Sequence, residues 1–127
     1  MSALTRLRSV WTALLCALPL FLPAPTSAKT LTEPQKIEAL IAAVAALPNA
    51  EFIRNGEAHP AADAAAHLRM KWGKAGKRVK TAEDFIRLCA SQSYLSGKPY
   101  QIRFADGRVE SAGPWLRARL QALEALR

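Results

Sequence analysis

Cysteine is nearly absent from this chain of 127 residues, and the position of its two cysteines removes whole classes of function. Cys16 falls in an N-terminal segment with the marks of a cleavable leader, which leaves Cys89 alone. A single thiol makes neither an internal disulfide nor a CxxC or zinc site. Cys89 follows Phe85 by four residues in a stretch of helical pattern, so both face one way and a packing role is expected. An intermolecular disulfide and a catalytic thiolate are the alternatives. Histidine is equally scarce. His59 and His67 are eight residues apart, not at the i, i+4 spacing that sets two ligands on one helical face, so neither a metal nor a cofactor is expected. No G-x-S-x-G occurs, and Ser96-Gly97-Lys98 lacks the upstream glycine of a phosphate loop. After residue 28 there is no repeat, no low-complexity tract and no run of the roughly 18–20 apolar residues that a membrane span needs. No series of aromatics accompanies the cations, and nucleic acid is excluded on that ground together with export.

What is present begins with the leader. Arg6 and Arg8 precede the apolar run VWTALLCALPLFLPA, and Thr26 and Ala28 stand at −3 and −1 of a cut before Lys29. This pattern predicts a signal peptide over residues 1–28 and a periplasmic product of residues 29–127. Leu15 before Cys16 is too bulky for lipoprotein cleavage. The leader carries two basic residues and no acidic one, so removing it takes the net charge from +8 to +6. What remains is large enough for one core and one small domain, with no membrane span after cleavage.

Hydrophobic periodicity predicts an α+β domain of about four helices and a very small antiparallel sheet. Thr32 and Gln35 have capping-box spacing, and Ile37, Leu40, Ile41, Val44 and Leu47 form an apolar stripe behind them. A short extended segment around Phe52 runs into an Asn55-Gly56 turn. A second helix is expected from Pro60 to about Trp72, with Ala61, Ala65, Leu68 and Trp72 inward. A third opens at Thr81 with Asp84 three residues on. Tyr100, Ile102 and Phe104 alternate as a strand before a turn at Asp106-Gly107, and a final helix begins at Pro114. The strand around Ile102 is expected to pair with the segment around Phe52.

The ordered motifs F-I-R-N-G-x-x-H, H-L-R-x-K-W, T-A-E-D-F-I and S-x-S-x-x-S-G-K-P-Y resemble the YfeK-like family of small exported proteins of Gram-negative bacteria. The likeness covers nearly all of the chain after the leader. It implies a periplasmic address and one compact domain, and carries no activity with it.

Candidate ligand contacts come from the residues themselves. Asp63, His67 and Lys71 share a helical face beside the Leu68 stripe, so His67 reads first as a boundary histidine hydrogen-bonded to a neighbour and second as an imidazole oriented by a carboxylate. Arg54, Asn55 and His59 cluster at the turn, where Arg54 is expected to pair with an acid such as Glu57. In the segment SQSYLSGKPY, Ser93, Ser96 and Lys98 read first as parts of a chain-reversing loop and second as ligand contacts. Lys74, Lys77, Arg78 and Lys80, with Arg69 and Lys71, form a cationic patch for lipid headgroups, lipopolysaccharide phosphates or cell-wall carboxylates. The leading expectation is a non-enzymatic periplasmic module that binds an anionic envelope component or an envelope protein. The alternative is a small hydrolase using Ser93 or Ser96 with His67.

Overall fold

Thr32 starts the first helix as its spacing predicts. Its hydroxyl accepts from Gln35 N at 3.4 Å, and Gln35 Oε1 accepts in return from Thr32 N at 2.9 Å. Helix α1 (Glu33–Ala45) then buries Ile37, Leu40, Ile41 and Val44. The computed structural model describes residues 30–126, with Pro19 and Pro23 besides; the rest of the expected leader and its cleavage junction lie outside the described residues.

Two hairpins build a four-stranded antiparallel sheet in the order β2-β1-β3-β4. Strand β1 (Glu51–Arg54) turns through Asn55 (φ 51°) and Gly56 (φ 80°) into β2 (Glu57–Pro60). Both central residues have positive φ, the hairpin turn that an Asn-Gly pair favours. β1 also pairs with β3 (Gln101–Arg103), where Phe52 faces Ile102 as expected, and β3 pairs with β4 (Val109–Ser111). Phe52 and Ile102 are both buried, whereas Glu51 and Arg103 form a 2.7 Å ion pair on the opposite, solvent-facing side. The sheet therefore has one wet face and one covered by helices.

Helix α2 (Ala61–Ala75) runs three residues past its expected end, stopping only where Gly76 takes φ 54°. Ala64, Ala65, Leu68 and Ala75 are its buried residues; Ala61 and Trp72, expected inward, are only partly covered. Pro60 is the cap of this helix and the last residue of β2, so the helix begins one residue later than expected. After a 3-10 turn (Gly76–Arg78), Thr81 and Asp84 form a second capping box for α3 (Ala82–Phe85). α3 continues as a π-helical turn (Ile86–Ala90), a feature no periodicity announces. Ser91 ends it by donating its hydroxyl to Ile86 O at 2.7 Å. Helix α4 (Ala112–Ala125) begins two residues before Pro114, and Ser111 caps it by backbone conformation alone. Gly113 lies so close to the π turn that a Cβ there would meet Ser91 Oγ at 2.9 Å.

Leu40, Ile41, Leu68, Phe85, Ile86 and Leu116 are fully buried at the centre. Each such side chain contributes roughly 1.5–3 kcal/mol relative to exposure. Among the described residues no helix is long and apolar enough to cross a membrane.

Candidate functional site

Strand alternation places Arg54 on the same face as Phe52, so it leaves the end of β1 toward the helices. There it meets α2. Arg54 Nη1 lies 2.7 Å from Nε2 and 2.8 Å from Nδ1 of His67, and Nη2 lies 3.3 Å from His59 Nε2. A guanidinium only donates, and one N–H cannot point at both nitrogens of a ring. The contact is thus one hydrogen bond to a lone-pair nitrogen of a neutral His67, with the charge held close to the ring. Desolvation, then the positive charges of Arg54 and Lys71, push the His67 pKa down to about 4. The expected carboxylate partners are elsewhere. Glu57 approaches His59 at 3.9 Å, not Arg54, and Asp63 is exposed and makes no ion pair or hydrogen bond with His67 among the described residues. The turn of α2 from Asp63 to His67 carries the acid outward while the imidazole enters a boundary position.

His67, Lys71, Lys74 and, beyond the helix, Arg78 follow one another at intervals of four, three and four residues. They line one wall of a cleft of about 520 Å³, closed opposite by the π turn and the 91–98 loop. Lys71 Nζ donates to Tyr100 Oη at 3.0 Å. It also lies 4.9 Å from the Tyr100 ring centroid, but the shorter, directional contact to the hydroxyl decides its position. The Tyr100 ring packs against Phe52 with centroids 5.5 Å apart, which anchors the floor to the core. Cys89 borders the cleft from below. It is buried, and desolvation raises its pKa, so it remains a packed thiol.

The 91–98 loop is tied to the Asn55 turn. Ser96 Oγ donates to Asn55 Oδ1 at 2.6 Å, and Asn55 Nδ2 donates to Ser93 Oγ at 3.4 Å. Ser93 N donates to Lys98 O and Gly97 N to Ser93 O, each at 2.9 Å, so the segment reverses the chain. Ser93 is buried, and its hydroxyl also accepts from Ser96 N. No hydrogen bond joins either histidine to Ser93 or Ser96 among the described residues.

Of the residues singled out from the sequence, Arg54, Asn55, His67, Lys71, Ser93, Lys74 and Arg78 come together around the cleft. His59 touches Arg54 from behind, and Ser96 braces Asn55. Lys98, Lys77 and Lys80 are exposed and outside its lining, and Arg69 pairs with Glu38 at 3.2 Å. Sequence reasoning passed over Met70, Tyr94 and Leu95, which form an apolar rim. The one signal for Tyr94 and Leu95 was their setting as an apolar pair inside an otherwise polar turn segment. No group of three or more metal-binding side chains occurs among the described residues.

A small α+β domain with a cleft that is cationic and, among the described residues, free of carboxylates is therefore the class that fold and site define. The chain belongs to the family of unknown function DUF5329, which residues 31–124 match. It is also 43% identical, over 84 residues, to the uncharacterized protein YfeK of Salmonella typhimurium, covering 66% of this chain and 69% of that protein. No solved structure matches the chain.

Proposed function

We propose that this protein is a non-enzymatic binding module of the periplasm whose cleft captures an anionic component of the cell envelope. The observation that carries this reading is the lining of the cleft. Arg54, Lys71, Lys74 and Arg78 face it, no aspartate or glutamate does, and none of the four cations joins an ion pair among the described residues. Four unneutralised charges around a concave, partly apolar space favour an anion there, and the field falls off with salt. The cleft volume lies within the usual range for small-molecule pockets, which favours an envelope component over an envelope protein. A histidine held near pKa 4 is a weak base at neutral pH, and with no serine bonded to it the hydrolase alternative has less support.

Calorimetric titration of the purified protein with inorganic phosphate at low salt tests the reading. Binding is expected, weakened by added salt and weakened about tenfold by Lys71→Gln, on the scale of one lost charge-assisted hydrogen bond. Absence of binding to phosphate and to anionic vesicles alike would end it. Location is tested separately. The exported protein should have the mass of residues 29–127, and retention of residues 1–28 or a lipid on Cys16 would contradict the periplasmic assignment.

A further inference from the structure

We propose that the anion this cleft takes is amphipathic, with a phosphate or carboxylate head held among the cations and a single apolar chain lying along Met70, Tyr94 and Leu95. The proposal rests on the anion-binding reading above and deepens it. Tyr94 is 90% exposed, Leu95 93% and Met70 46%, and all three line the same cleft. Tyr100 and Ser93, at 3% and 5% exposure, lie deep in it beside half-buried Arg54 and Lys71. Arg54, Lys71, Ser93 and Tyr100 are recessed, next to the apolar Ala75, Leu88 and Cys89, while Met70, Tyr94 and Leu95 share the mouth with the exposed Lys74 and Arg78. One cleft thus offers both cations and large apolar side chains, which suits a ligand that carries an anionic head and a hydrocarbon chain.

Exposed tyrosine and leucine at a loop tip need an explanation when the loop is fixed. Ser93 N to Lys98 O, Gly97 N to Ser93 O and the Ser96–Asn55 bond close this loop, so Tyr94 and Leu95 are presented at a defined place. Their apolar area earns no burial within the chain. An apolar chain seated against them would remove it from water, and the neighbouring cations select among amphiphiles by charge.

The experiment is calorimetry with dodecyl phosphate and dodecanoate, both below their micelle concentrations, against inorganic phosphate, acetate and dodecyltrimethylammonium. The dodecyl anions are expected to bind at least about 100-fold more tightly than their short counterparts, as burial of a few methylenes would give. The better of the two identifies the head as phosphate or carboxylate. The double variant Tyr94→Ser/Leu95→Ser removes only exposed side chains. It should weaken the dodecyl anions about tenfold or more, leave inorganic phosphate unchanged and leave the melting temperature unchanged. Equal affinities for long and short anions would overturn this inference while leaving the anion site standing. Equal binding of the dodecyl cation would overturn it as mere hydrophobic adhesion. Binding to anionic vesicles with no binding of dissolved dodecyl anions would overturn it in favour of a membrane-surface contact. No binding of any anion would remove both readings together.

Discussion

His67 shows how the place of a side chain can be read from sequence while its partner cannot. A boundary histidine bonded to a neighbour was the first expectation, and His67 is half buried against Arg54. Its spacing from Asp63 suggested an imidazole oriented by a carboxylate, yet its partner is the Arg54 guanidinium thirteen residues upstream. Helical spacing is local information, whereas the Arg54 contact depends on β1 delivering its even-numbered side chains under α2. A stability prediction follows from the depressed pKa. The unfolded chain protonates this histidine near 6.5, the folded chain only near 4, so between those values the unfolded state binds more protons. Stability should therefore fall as pH drops from 6.5 toward 4. Thermal melts across this window should show a shallower decline for His67→Gln; identical profiles would contradict the assigned environment. Ser93 was equally ambiguous, because a serine that closes a loop and one that lines a cleft have the same sequence, and here it does both.

Elements were legible where two signals agreed. Thr32 with Gln35 and Thr81 with Asp84 each coupled a cap to an apolar stripe, and both capping boxes formed. The pairing of Phe52 with Ile102 was readable from alternation and formed as well. Strand β2 was not readable, because its residues are exposed or only half buried and no apolar alternation marks them. The π turn was hidden for a related reason: Phe85, Ile86 and Cys89 are buried as a helical stripe would have them, whatever the local winding. That turn sets Leu88 and Cys89 against the cleft, in keeping with the frequent use of π turns at functional sites. The sheet's reliance on its central pair gives a prediction at this scale. Phe52→Ala should cost about 3–5 kcal/mol, the range for a buried aromatic truncated to alanine. A denaturation midpoint equal to that of the parent chain would contradict this core.

Across the whole molecule, charge is sorted. Glu38 pairs with Arg69, Glu51 with Arg103, Glu83 with Arg117, and Glu33 and Glu124 share Lys36. Such exposed pairs stabilise the fold little, but they use up acids on other faces. The cations of the cleft are left unmatched. Composition showed the excess of positive charge, and the 69–80 stretch showed where it concentrates, but only the winding of α2 and of the 3-10 turn after it divides that stretch. Lys71, Lys74 and Arg78 turn to the cleft, while Arg69 turns to α1. The segregation also explains why the apolar rim escaped notice: Tyr94 and Leu95 gain meaning only beside cations that lie some twenty residues earlier in the chain.

The claim on which the account stands is that the cleft bounded by Arg54, Lys71 and the 91–98 loop is where an anion binds. The most direct measurement is a heteronuclear NMR titration of the folded protein with dodecyl phosphate below its micelle concentration. The account predicts saturable shifts at the Arg54 side chain and at the backbone amides of Lys71, Ser93, Tyr94 and Tyr100, with the His67 imidazole midpoint rising from about 4 as negative charge arrives beside it. Shifts confined to the outer sheet face around Glu51 and Arg103, or none at all, would contradict it.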